Sequence, residues 1–428
     1  MTTLDTTAKT KPCGCPELPE ISRRSFLKAA GAAGVVAGLA TEGMFTRLAF
    51  ADTPYTGDVL VVLSFRGGMD SLQAFVPTGD PKYATLRPTI AIPQPQLLPM
   101  GGIFGMHPAM ASLKPFYDAG DFGVVQAVGM ADANRSHFSA MEEMERAAPG
   151  SSLRTGWLDR VLGLRDPGQP FQATQMGSNS AAAAFLGPAP ELAMWSIDSF
   201  GHDAVYDSNE ATRWDTGLRA IHAGAPDVVE APALTALDAL STAGSLGSAD
   251  DYVPANGASY PDSGLADALR DIARLIKGGV GLQVAAIDYG DWDMHEGEGA
   301  FSEGADGWMY GHLAELSDSL AAFATDLGSL MNGVTLASLT EFGRTTRENG
   351  SGGTDHGYGQ AVMLLGGGVK GGQVHGDWPG LDEDDDLTPT TDYRNLLAEI
   401  LEKRCGASSA NINEIFPGID NDRPDIVN

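Results

Sequence analysis

Apolar residues recur along the chain in two rhythms that alternate with each other. Asp58 to Phe65 (DVLVVLSF) is an unbroken, β-branched run ending in Arg66-Gly67-Gly68-Met69-Asp70, the pattern of a strand buried on both faces and followed by a glycine-rich turn. The same pattern predicts strands at 122–128, 282–288, 335–340 and 361–365. Helical spacing predicts helices at 108–119, 139–147, 156–164, 265–277, 312–327 and 393–403. Strands alternating with amphipathic helices predict an α/β fold: a doubly wound, mostly parallel sheet with helices on both faces. Residues 200–262 are rich in Ala, Gly, Ser and Asp with weak periodicity, and are expected to form an inserted cap region within a single domain spanning residues 52–428.

The first fifty residues follow neither rhythm. Ser22-Arg23-Arg24-Ser25-Phe26-Leu27-Lys28 precedes a small, apolar run from Ala29 to Ala40, and Ala49-Phe50-Ala51 supplies a small-x-small cleavage site. This is the pattern of a twin-arginine export signal covering residues 1–51, with the twin-arginine translocase as the implied partner. The apolar run is short of the ~20 residues needed to span a bilayer, and no later segment reaches that length, so no stable membrane anchor is expected after cleavage. The protein is expected to be periplasmic, cell-wall-associated or secreted. Cys13 and Cys15 leave with the signal and Cys405 remains alone, which excludes an intrachain disulfide.

Charge narrows the partners. Lys+Arg is 27 against Asp+Glu 56, a formal net charge of −29, which disfavours phosphate backbones, so no nucleic acid partner is expected. The segment 1–51 holds six Lys/Arg and four acids, so its removal takes the net charge to −31. The run Asp382-Glu383-Asp384-Asp385-Asp386 reads as a solvated loop, with calcium binding as the lesser reading.

The residues able to do chemistry fall where the predicted strands end, which is where ligands bind in open α/β sheets. These are Asp70 after the first strand, Ser136 and His137 after the second, Asp288, Asp293 and His295 after the third, Glu341, Arg344, Asp355 and His356 after the fourth, and His375 beyond the fifth. Mixed carboxylate and imidazole donors suit Zn²⁺, Mn²⁺ or Fe, and carboxylate-rich sets suit Mg²⁺ or Ca²⁺. Ser139, with Glu142 three residues on, is expected to cap its helix, leaving Ser136 as the better nucleophile or anion ligand. Arg135 and Arg344 are candidates either to clamp such an anion bidentately or to form ordinary salt bridges in so acidic a chain.

The twin-arginine leader, R-G-G-M-D-S-L, N-R-S-H-F, D-Y-G-D-W-D-M-H, T-E-F-G-R-T and G-T-D-H-G together resemble the bacterial family catalogued as domain of unknown function 1501, over about residues 22–405. That family is in turn similar to the alkaline phosphatases and sulfatases. The resemblance implies an alkaline phosphatase-like sheet with a two-metal site at the strand ends. It implies Asp70, Asp288, Asp293, His295, Asp355, His356 and His375 as metal ligands, and a serine nucleophile at a helix N-terminus. Glu341 stands at the strand end where the phosphatases place their Asp-His pair, and Asp355-His356 comes fourteen residues later, so Glu341 joins the expected ligands. The expected function is hydrolysis of a small anionic phosphate or sulfate ester with one or two divalent ions (Zn, Mn, Mg or Ca), with Ser136, His137 and Arg344 as catalytic residues. The alternative is a non-catalytic binding or assembly protein on the same scaffold. A redox enzyme is disfavoured by the single remaining cysteine and by the lack of a dinucleotide-binding glycine motif.

Overall fold

The computed structural model describes residues 57–130, 134–164, 169–201, 208–299, 307–381 and 386–428; the expected signal segment and residues 382–385 of the acidic run lie outside the described residues. The main sheet is built from β1 (Val59–Phe65), β2 (Phe122–Gly129), β3 (Ala173–Met176), β4 (Leu192–Met194), β5 (Val284–Tyr289), β6 (Val334–Thr340), β7 (Gln360–Leu365), β8 (Val374–His375) and β9 (Thr391–Asp392). Its order is β8-β2-β7-β6-β1-β5-β3-β4, with β9 also paired to β2. From β6 to β4 all neighbours are parallel. The exception to the expected parallel sheet is β7, which runs antiparallel to both β6 and β2.

Helices cover both faces because successive side chains of a strand point to opposite sides. In β1, Val61, Leu63 and Phe65 join the core formed with α5 (Gly264–Gly278) and α6 (Trp308–Leu327). Leu60 and Val62 join the opposite core with α1 (His137–Arg146), α2 (Trp157–Gly163) and α7 (Tyr393–Lys403). Each fully buried aliphatic or aromatic side chain contributes roughly 1.5–3 kcal/mol, so alternation along the central strands fixes their register. The doubly wound arrangement is therefore written in the period of β1 itself.

Two expectations change. Residues 200–262 contain two helices, α3 (Ser208–His222) and α4 (Asp227–Ser245), linked by Arg219 bonding to both Asp215 and Asp238. Their mixed Ala/Ser/Asp composition hid the period. The first helix after β2 begins at His137, with Ser136 as N-cap, so Ser139 lies inside it and forms no capping box. The Asn134 side chain accepts the Ser136 N–H at 2.9 Å and sets that earlier start.

Register decides where the loops emerge. Phe65 lies beside Tyr289 of β5 and Thr340 of β6, so the segments after β1, β5 and β6 leave the sheet side by side. The antiparallel course of β7 brings its first residue, Gln360, opposite Val128 at the end of β2. Gln360 also donates to the Thr340 carbonyl at 2.7 Å and accepts from its N–H at 3.1 Å. Five loops thus converge at one edge.

Candidate metal centre

The convergence produces a cluster of three imidazoles around one carboxylate. His356 Nε2 lies 3.2 Å and His295 Nε2 3.1 Å from Asp293 Oδ1, and the two nitrogens are 2.9 Å apart. His137 Nε2 lies 3.4 Å from Asp293 Oδ2 and, although buried, has no hydrogen-bond partner. The ligating atoms of His137, Asp293 and His356 all lie within 4.8 Å of one another.

The other nitrogen of each ring is already committed. His137 Nδ1 donates to Glu341 at 2.8 Å, His295 Nδ1 to Asp355 at 2.8 Å, and His356 Nδ1 to the Arg135 carbonyl at 2.8 Å. With Nδ1 protonated, a neutral ring presents a lone pair at Nε2. Three lone pairs then face one carboxylate, and two of them face each other, an arrangement neutral imidazoles cannot satisfy by hydrogen bonding among themselves. A divalent cation would satisfy it: donors at the usual 2.0–2.1 Å from tetrahedral zinc stand about 3.3 Å apart, close to the observed spacings. Carboxylate and carbonyl partners behind metal-binding histidines also fix ring orientation, as here. The donor set therefore fits a divalent metal ion.

The protein holds this cluster from beneath. Glu341 is buried at the end of β6, where Oε1 accepts from His137 and from the Gly67 N–H at 2.8 Å, and Oε2 accepts from Thr340 Oγ1 at 3.1 Å. Gly67 has φ +116°, and a Cβ there would come 2.6 Å from the Asp293 nitrogen, so this close approach requires glycine. Arg344 is buried and donates to the carbonyls of Gly68 (2.6 Å), Thr354 (3.0 Å), Trp292 (3.1 Å) and Gly67, and to Asp293 Oδ1 at 2.6 Å. Partial burial works to raise the Asp293 carboxyl, and the Arg344 guanidinium hydrogen-bonded to it, with the His356 ring alongside, outweighs it, holding the group below the ordinary carboxylate range. Burial pulls His356 down, only partly offset by its bonds to the Arg135 carbonyl and Asp293, which favours the neutral ring a metal needs.

Of the residues expected from the sequence, His137, Asp293, His295, Glu341, Arg344, Asp355 and His356 come together. Glu341 and Asp355 touch the outer nitrogens of histidines, and Arg344 has its guanidinium engaged by backbone and Asp293, so it is placed to hold the ligand and not to clamp an incoming anion. Ser136 is exposed beside His137 at the start of α1, with no side-chain capping bond. Three expected ligands stand elsewhere. Asp70 caps the turn Ser71–Ala74 and forms a buried ion pair with Arg87, Nη1 to Oδ2 at 2.6 Å. Asp288 pairs with Arg66, and His375, at the sheet edge, bonds the Lys370 carbonyl at 2.7 Å.

Sequence reasoning missed Arg87 and Glu298. Burial and the neighbouring Asp70 push the Glu298 carboxyl well above its ordinary range, and its Oε1 has no hydrogen-bond partner. A lone arginine in a loop and an acid in a glycine-rich stretch carry no periodic signal. Only their shared proximity to Asp70 in three dimensions reveals them.

Fold and site together define a class: an α/β protein with a histidine-carboxylate cluster at the strand ends suited to a divalent metal. Residues 254–408 match the family described as protein of unknown function (DUF1501), and residues 20–40 match the TAT (twin-arginine translocation) pathway signal sequence. Over residues 254–408 the chain is similar to that family, and it carries a signal for twin-arginine export. No protein of curated function matches it. Similar solved structures include the C-terminal periplasmic domain of EcEptC from Escherichia coli in complex with Zn (9% identity, 74% of this chain and 77% of that chain, TM-score 0.31). The lipoteichoic acid synthase LtaP from Listeria monocytogenes is another (6% identity, 77% and 67%, TM-score 0.29). A third is the lipooligosaccharide phosphoethanolamine transferase A (EptA) from Neisseria meningitidis (11% identity, 81% and 55%, TM-score 0.29). At these scores the likeness defines no activity. Among the described residues no helix is long and apolar enough to cross a membrane.

Proposed function

We propose that the exported protein is a metal-dependent hydrolase of phosphate or sulfate esters, with His137, Asp293 and His356 as ligands and His295 beside them. The observation that carries the reading is the convergence of three imidazole Nε2 atoms on Asp293 while every Nδ1 is anchored. A divalent cation supplies Lewis-acid polarisation of the ester oxygen and lowers the pKa of a nearby hydroxyl or water. The exposed hydroxyl of Ser136 stands one residue from His137, at the N-terminus of the ten-residue α1, where free backbone N–H groups favour an anion. Hydrolysis joins a water oxygen to phosphorus or sulfur. The bond to the leaving oxygen breaks with its electron pair, and that oxygen takes up a proton as water gives one up.

One observation favours a second reading, a metal-organised binding surface without turnover. The cluster is open, with the Asp293 side chain 47% and Asp355 62% exposed, whereas cavities of about 850 and 680 Å³ lie elsewhere, around Lys277–Asn332 and around Ile197–Ser248. Metal content of the exported protein, and its hydrolysis of aryl phosphates and sulfates with Zn²⁺, Mn²⁺, Mg²⁺ or Ca²⁺, separates the two. Turnover that disappears in Asp293→Ala and His356→Ala supports the hydrolase. Bound metal without turnover of any ester supports the binding surface.

A further inference from the structure

Two arginines, Arg344 and Arg135, touch the cluster or its anchors, and a third, Arg66, stands just after β1; each is already engaged. Arg344 spends its guanidinium on four backbone carbonyls and Asp293. Arg66 is shared between Asp288 at 2.8 Å and Glu145 at 2.6 Å. Arg135, whose carbonyl orients His356, lies over the Tyr358 ring at 4.5 Å and pairs with Asp386. Arg347, farther along the hairpin Arg344–Glu348, also has a partner.

Anions, in contrast, ring the opening. Asp291 and Glu296 are exposed in the loop that carries Asp293 and His295, and Asp355 is exposed on the hairpin strand beside His356. One divalent cation plus Arg344 is matched in formal charge by Asp293, Glu341 and Asp355. A group bearing two negative charges therefore meets uncompensated carboxylates, and the guanidinium groups of Arg66, Arg135 and Arg344 are already committed to other partners. A group bearing one negative charge meets a balanced site.

We infer that the site selects singly charged esters, a phosphodiester or a sulfate monoester, over doubly charged phosphate monoesters, and that the Arg135–Asp386 pair enforces the choice by withholding Arg135. The inference rests on the ester-hydrolase reading and names its substrate class. Repulsion of a second charge at close range in a partly solvated site weakens binding by roughly tenfold or more.

The test is calorimetry on the metal-loaded exported protein with two inert probes at mildly alkaline pH: benzenesulfonate, which carries one charge, and phenylphosphonate, which carries two. Benzenesulfonate is expected to bind roughly tenfold more tightly. In Asp386→Asn, with Arg135 released, phenylphosphonate is expected to gain roughly tenfold while benzenesulfonate changes little. Tighter binding of phenylphosphonate by the unaltered protein, or no gain in Asp386→Asn, overturns the inference while leaving the hydrolase reading standing. Failure of both probes to bind protein that retains its metal overturns both. Turnover supplies an independent check: aryl sulfate and bis-aryl phosphodiester are expected to surpass aryl phosphate in kcat/KM, and the reverse order overturns the selection.

Discussion

Replacing Asp70 by Asn separates the role that the family resemblance implies from the role that the structure shows. Arg87 is fully buried, and Asp70 receives its Nη1 at 2.6 Å and Nη2 at 3.1 Å, while the Thr345 and Thr346 carbonyls and Gln73 Oε1 take the remaining donors. Asn keeps an oxygen for the Leu72 and Gln73 N–H groups, so the helical-turn cap survives, while the charge is lost and the oxygen that accepts Arg87 Nη1 is replaced by an NH2 donor. A buried guanidinium left without its partner costs about 3–5 kcal/mol. At the usual unfolding entropy per residue, this lowers Tm by about 4–6 °C for a chain of this size. Glu298 offers partial relief, because Asp70 is one of the two largest influences keeping it neutral. Once that charge is gone, Glu298 ionises more readily beside Arg87. Asp70→Asn alone is therefore expected toward the lower end of the range, and Asp70→Asn with Glu298→Gln toward the upper end. Urea and thermal unfolding measure the loss, and metal titration of the folded variant measures binding. An Asp70→Asn protein as stable as the parent but unable to hold metal refutes the reasoning, since it makes Asp70 a ligand and the ion pair incidental.

Further outcomes follow from other groups. Burial lowers His107 to about 4 from an ordinary 6.5, its Nδ1 accepting the Ala109 N–H, so its contribution is complete above about pH 6.5 and is lost as pH falls toward 4. This amounts to about 3 kcal/mol, and urea unfolding across that range, with His107→Gln as the insensitive control, checks it. Glu298 works in the opposite direction: its raised carboxyl makes the folded protein lose stability as pH rises from the ordinary carboxylate range toward the raised value, so Glu298→Gln is expected to be relatively more stable in mildly alkaline solution. Gly353→Ala would press a Cβ to 2.3 Å from the Met294 carbonyl, and is expected to displace His295 and weaken metal binding measured by competition with a chelator. Phe138 is 90% exposed next to His137, so Phe138→Ala is expected to change stability by less than about 0.5 kcal/mol while raising KM for aryl esters.

The sheet was legible because its central strands are apolar on both faces and are bounded by glycine or charge. The observed β1, β2, β5, β6 and β7 fall within two residues of the expected strands at most ends. β3 and β4 were not legible, since Ala-Thr-Gln-Met and Leu-Ala-Met are too short to show a period. The site was legible as a set of strand-end residues but not as a division of labour. His137 follows a helix cap and reads as a catalytic neighbour of Ser136; only the register of β7 against β2 and β6 turns it toward Asp293. Asp70 reads as a ligand because nothing local announces Arg87, seventeen residues away, as its partner.

The three proposed ligands lie at positions 137, 293 and 356, and Arg344 ties together carbonyls from the loops after β1 and β5 and from the hairpin strand Thr354–His356. A ribosome must therefore have released most of the polypeptide before any cation finds a home in it. On the proposed metal-dependent reading, loading is a late event, coincident with completion of tertiary structure, and an occupied centre certifies a finished molecule. For a passenger of a translocase that accepts folded cargo, that reading puts ion capture on the cytoplasmic side, ahead of departure, where the binding free energy would add to the stability of the travelling form.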